Sequence, residues 1–189
     1  MDLQIKIKEL AKLYFEETIA TRRYLHQFPE LSFQEVETGK YIAERLSKLG
    51  VKHTHGIAEN GVVALIEGKN PFSKTIALRA DFDALPILEA NDVEYKSKKE
   101  GVMHACGHDA HTASLLSVAK ILNEIKNNFE GTVKLIFQPG EEKLPGGASI
   151  MIKEGVLDNP KPLSILGQHV HPPLEAGKVG LKGGIYMAS

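Results

Sequence analysis

The sequence is short of cysteine. Cys106 is the only one in 189 residues, so no intramolecular disulfide can form, which fits a reducing compartment and the cytoplasm. It is also short of net charge. The formal balance is −1, which leaves no basic field to hold nucleic acid or an anionic membrane surface. No apolar run approaches the roughly 18 residues a membrane span needs. The opening MDLQIKIKEL lacks the basic start and apolar centre of a secretion signal. There is no internal repeat and no low-complexity tract. What is present is ordinary for a globular chain: 42% apolar and 25% charged residues. The length suits one domain with a proper core. Partners among nucleic acids and membranes are not expected.

Periodicity places the elements. Leu3, Ile7, Leu10, Tyr14, Leu25 and Phe28 recur at helical spacing, predicting one helix over 3–28 that stops at Pro29. SFQE at 32–35 has the form of a capping box, with Ser32 as N-cap and Glu35 three residues on. A second helix follows on Val36, Ile42, Leu46 and Leu49 and ends at Gly50. GVVALIEG (61–68) and KTIALRA (74–80) read as strands about the turn KNPFS. A third helix is expected from near Asp109 to about Asn127, then a strand over 131–139 and a short helix closed by Gly155. PLSILGQHV (162–170) and GKVGLKGG (177–184) read as further strands. Helices alternating with apolar strands predict an α/β fold with a largely buried sheet.

In such folds ligands sit in loops at the ends of strands, and four polar clusters fall there. The first is HACGHDAH, which opens the third helix and packs His104, Cys106, His108, Asp109 and His111 into eight residues. Thiolate and imidazole are good ligands for zinc, manganese or cobalt ions, although a turn with a buried thiol fits the same letters. QPGEE after the next strand offers one carboxylate as a ligand and a neighbour as a base beside an activated water; a solvated loop would look similar. QHVHP supplies His169 and His171, and RADFDALP supplies Asp81 and Asp83, a type of acid that orients ligands from behind a metal site. A cysteine nucleophile is the rival reading. It needs one histidine base and an orienting acid, and leaves the surplus of His and Glu without work.

The stretches RRYLHQFPELSFQE, ALRADFDALPILE, MHACGHDAHTASLL, IFQPGEE followed by GGASIMI, and GQHVHPPLEAG occur in that order. Together, and over essentially the whole chain, they resemble the amidohydrolase branch of the aminoacylase and carboxypeptidase metallopeptidases. That branch includes hippurate hydrolases, indole-acetyl-amino-acid hydrolases and N-acetyl-diaminopimelate deacetylases. The resemblance implies a three-layer αβα, zinc-peptidase-like catalytic domain with a mixed, mostly parallel central sheet. It implies Cys106, His108, Glu142 and His169 as ligands of two divalent ions (zinc, manganese or cobalt). Glu141 is then the general base and Asp81 a supporting catalytic acid; Asp83, Asp109, His104 and His111 stand behind the ligands. The implied reaction is attack of activated water on the amide of a small N-acyl amino acid. A dipeptidase or carboxypeptidase could use the same site, and a non-catalytic metal-binding fragment would keep it.

Two departures stand out. Gly140 occupies a position where the family usually has alanine. The family's members are also about twice as long. They continue into a lid that mediates homodimerisation, then return to complete the catalytic domain with a further histidine ligand. Residues 1–189 are accordingly expected to be the first portion of that domain, weak or inactive alone.

Overall fold

The computed structural model describes residues 2–181, 183 and 184. Two helices, α1 (Leu3–Leu13) and α2 (Phe15–Gln27), replace the single helix expected over 3–28. Asp2 caps α1, accepting from the Gln4 N–H at 3.0 Å. The break falls at Tyr14, whose hydroxyl pairs with Glu124 and whose ring lies 3.8 Å from the Lys120 ammonium. Tying this residue to a distant helix bends the chain there and lets α2 lie against that helix.

Helix α3 (Val36–Lys48) begins after Glu35 with no side-chain cap from its N-cap residue. The expected capping box at 32–35 does not form. Glu30 does the work from further back: its carboxylate accepts from the Thr38 N–H at 2.7 Å and the Thr38 hydroxyl at 2.8 Å. Ser32 and Glu35 turn inwards instead. Strand β1 (Lys52–Ile57) follows and has no counterpart among the sequence expectations. Its residues, KHTHGI, are mostly polar and solvent-facing, so an edge strand here carries no apolar alternation to announce it.

Strands β2 (Gly61–Glu67), β3 (Thr75–Asp81), β4 (Thr132–Gln138) and β5 (Ile165–Gly167) complete a sheet in the order β1-β2-β4-β3-β5. The sheet is mixed: β1–β2 and β2–β4 are antiparallel, β4–β3 and β3–β5 parallel. The parallel share is therefore half of the pairings. Helix α4 (His108–Glu124) and helix α5 (Gly147–Lys153) supply the remaining cover. The expected strand over 162–170 shortens to β5. The expected strand over 177–184 is absent from its described residues, which form a turn end, irregular backbone and a bend; Lys182 lies outside the described residues. Val179 and Leu181 alternate as strand residues would, but lie open to solvent with no partner edge.

Every residue of β4 is buried, so both faces of the sheet are covered, giving three layers. On one face Phe137, Leu135 and Val133 pack with Val62, Ala64 and Phe82 against Ile42 and Leu46 of α3 and Leu115, Leu116 and Ala119 of α4. Each fully buried Leu or Phe there contributes about 1.5–3 kcal/mol. On the other face Ile136 and Ala77 meet Met151 of α5 and Val156. Lys134 also points that way, its ammonium donating to the carbonyls of Val156 (2.7 Å) and Asp158 (2.6 Å). Because β3, β4 and β5 are mutually parallel, their C-terminal ends lie at one edge of the fold. That edge receives the loops starting at Asp81, Gln138 and Gln168, and the N-terminus of α4 packs beside β3. Among the described residues no helix is long and apolar enough to cross a membrane.

Candidate metal centre

His108 is the hub. The ring is 1% exposed. Its Nδ1–H faces the Asp83 carbonyl at 3.0 Å and the Asp83 carboxylate at 3.1 Å. That partner leaves the lone pair on Nε2. Nε2 is buried without a hydrogen-bond partner, yet carboxylate oxygens of Asp81, Glu142 and Glu141 surround it at 3.6, 3.8 and 4.0 Å. Three carboxylates converging on one imidazole nitrogen need positive charge among them, which a proton on the ring or a bound cation supplies. The donors gathered here suit a divalent ion: imidazole, thiol and carboxylate in one cluster.

Among the described residues three overlapping groups could hold an ion, and His108 belongs to all of them: Cys106 with His169, Asp81 with His111, and Glu141 with Glu142. Cys106 Sγ lies 3.3 Å from His169 Nε2. His169 in turn gives its Nδ1–H to the carbonyl of Val170 at 2.6 Å. All six residues expected from sequence to serve the centre thus meet at the end of the sheet. His171 does not join them; its side chain is exposed and belongs to none of the three groups.

The electrostatics follow from crowding. Burial by itself would raise the Asp81 carboxyl, but the His111 hydrogen bond and nearby positive charge, that of Arg79 included, hold it down at about 2. Burial and then the charges of Asp81 and Glu142 push the Glu141 carboxyl up. Burial, a hydrogen bond to Glu142 and the surrounding carboxylates push the Cys106 thiol up to about 12. The same carboxylates would draw in a divalent cation, whose charge reverses this effect and favours the thiolate.

The residues behind the ligands come from several elements. Asp83 accepts from the Ser32 hydroxyl at 2.7 Å and from the Glu142 N–H at 2.9 Å, so one carboxylate orients both His108 and the Glu141–Glu142 loop. Asp81 is held by Arg79 at 2.6 Å and by His111 at 2.6 Å. Glu35, wholly buried, accepts the Gly140 N–H at 2.7 Å and the Asn60 amide at 3.4 Å. Asp109 faces away, towards Arg22 at 2.8 Å and His26 at 2.7 Å. His104 is buried with neither ring nitrogen partnered, and burial lowers its pKa to about 4. From the sequence Ser32 and Glu35 read only as a helix cap, and His26 has no role. Each sits in RRYLHQFPELSFQE, but its partner lies 51–105 positions away, and no local pattern marks such a pairing.

Comparison with known proteins agrees with this geometry. The chain is 43% identical over 184 residues to the N-acyl-L-amino acid amidohydrolase of Geobacillus stearothermophilus, covering 97% of this chain and 49% of the relative. It is 44% identical over 191 aligned positions to thermostable carboxypeptidase 2 of Saccharolobus solfataricus, covering 100% of this chain and 48% of the relative. Among solved structures it is similar to the YXEP protein of Bacillus subtilis, described as a dinuclear metal binding peptidase from M20 family. The TM-score is 0.85 at 43% identity, over 92% of this chain and 48% of that one. The chain spans about half the length of the curated relatives it matches. Residues 77–184, more than half of the sequence, match peptidase family M20/M25/M40, and the chain belongs to that family.

Proposed function

We propose that this chain carries the metal centre of a hydrolase that cleaves the amide bond of small N-acyl amino acids. The observation that carries the reading is the buried, unpartnered Nε2 of His108 facing three carboxylates. Cys106, His108, Glu142 and His169 would hold two divalent ions, of zinc, manganese or cobalt. When bound, such ions polarise a carbonyl and lower the pKa of water. Glu141 does the proton work. It takes a proton from the attacking water as the oxygen adds to the amide carbon, then gives it to the departing nitrogen as the C–N bond breaks. The products are a carboxylic acid and an amino acid, and every proton is accounted for. Asp83 orients His108 and the Glu142 backbone, and Asp81 anchors His111.

Residues 1–189 form, on this reading, the first portion of a catalytic domain in a cytoplasmic homodimeric enzyme. Leu163 and Leu166, exposed around β5, support a further segment covering that edge, and the relatives' greater length supports its existence. The name of the Saccharolobus relative supports a second reading, a carboxypeptidase using the same centre.

One assay separates the readings. Activity of the chain together with the further segment proposed above is followed on hippurate, N-acetyl amino acids and dipeptides, before chelation, after it, and after adding back zinc, manganese or cobalt. Loss on chelation and recovery on add-back, with N-acyl amino acids preferred, is the expected result. Preference for dipeptides supports the carboxypeptidase, and activity indifferent to chelator contradicts both.

A further inference from the structure

His111 has no ligand role in the proposed centre, although it is 1% exposed and satisfied at both ring nitrogens. Its Nδ1–H donates to Asp81 Oδ1 at 2.6 Å. With that proton fixed, Nε2 is an acceptor, and it takes the backbone N–H of Val170 at 2.9 Å. The carbonyl of the same Val170 accepts Nδ1–H of His169 at 2.6 Å, which leaves His169 Nε2 bare and facing Cys106 Sγ at 3.3 Å. Val170 is thus gripped at both ends of its backbone. Its side chain is seated as well. Gly107, at φ +85°, lies beneath it, and a Cβ on that glycine would come within 2.3 Å of Val170 Cγ2. The rings of His111 and His169 meet edge-on, 4.6 Å apart.

The loop needs such a seat. Residues 168–171 are exposed. Among the described residues, their hydrogen bonds to earlier parts of the chain are Gln168 to Ser114, His169 to Cys106, and Val170 to His111, and the His171 carbonyl accepts from the Leu174 N–H. We infer that His111 is a positioning residue: it relays the fixed orientation of Asp81 through the Val170 backbone and so sets the place and tautomer of His169. The inference rests on the proposed metal centre. It adds the device by which a ligand on an exposed loop is aligned to one on a buried helix.

The test is cobalt(II) titration of the chain, read by absorbance, in four forms: unaltered, His169→Ala, His111→Asn, and both together. Asn keeps a donor for Asp81 but has no acceptor where Nε2 stood. His169→Ala is expected to weaken cobalt binding. His111→Asn is expected to weaken it roughly 10–100-fold, the usual range for groups that orient a ligand, and to add less than about twofold in the His169→Ala background. An equal loss in both backgrounds overturns the inference, because His111 would then act on the fold at large. Full binding by His111→Asn with loss in His169→Ala overturns it alone. Absence of binding by the unaltered chain, or full binding by His169→Ala, overturns the metal reading and the inference with it. Should His111→Asn not fold, nitrogen-15 NMR of the unaltered protein serves. A neutral His111 with its proton on Nδ1 is expected, and a proton on Nε2 contradicts the relay.

Discussion

A histidine held between two carboxylates stabilises a fold most while it is charged, when both ring nitrogens donate. His26 is 3% exposed and lies 2.7 Å from Asp109 and 3.1 Å from Glu89. The hydrogen bond to Asp109 raises its pKa above the ordinary 6.5, against burial and the Arg22 charge. Burial alone would raise the Asp109 carboxyl, but the His26 bond and nearby positive charges hold it below its usual value. The signs then follow. The His26 contribution is fully present below about 6.5 and fades as pH rises through the raised value; the Asp109 contribution persists until pH falls below the ordinary carboxylate range. His26→Gln should therefore lower the denaturation midpoint most near pH 6, and the gap should narrow towards pH 9. A gap that is flat with pH would contradict this. Glu141→Gln makes a different forecast. The donors of the centre remain, so metal content should be retained while turnover falls about 10²–10⁴-fold, the usual worth of a proton-transfer group. At this scale donor types are legible in the sequence: Cys106, His108, Glu142 and His169 read there as ligand chemistry. It did not reveal partners. Ser32 and Glu35 look like a cap because spacing is local information, whereas their bonds to Asp83 and Gly140 depend on chain folding.

At the scale of elements, long apolar periods were legible and edges were not. The buried strands β2, β3 and β4 and the helices α3 and α4 follow their patterns to within a few residues. Strand β1 is not legible because an exposed edge has little apolar pattern, and the described residues of 177–184 form no strand because alternation alone does not provide a strand to pair with. The break at Tyr14 depends on Glu124, more than a hundred positions on. Gly140 sits where a larger residue is strained. Its φ is +56°, and an added Cβ would meet the Phe33 ring at 2.5 Å. Gly140→Ala should cost about 1–2 kcal/mol from the left-handed backbone alone, and more as Phe33 is displaced. Chemical denaturation measures it; an alanine variant as stable as the parent would contradict the tight packing of this loop.

Over the whole molecule, one topological fact does most to build the centre. Parallel pairing of β3 with β4 and β5 brings three strand ends to the same edge, and α4 sets its first residue among them. The four polar clusters are scattered over residues 81–171 in the sequence and converge only through that pairing. Since His108 belongs to every group among the described residues that could hold an ion, it offers the most direct test. Zinc binding is titrated calorimetrically into the unaltered chain and into His108→Ala, with circular dichroism confirming that both are folded. The account predicts binding by the unaltered chain and a loss of at least about 100-fold on removal of this ligand. Equal zinc affinity in the two folded proteins would contradict it.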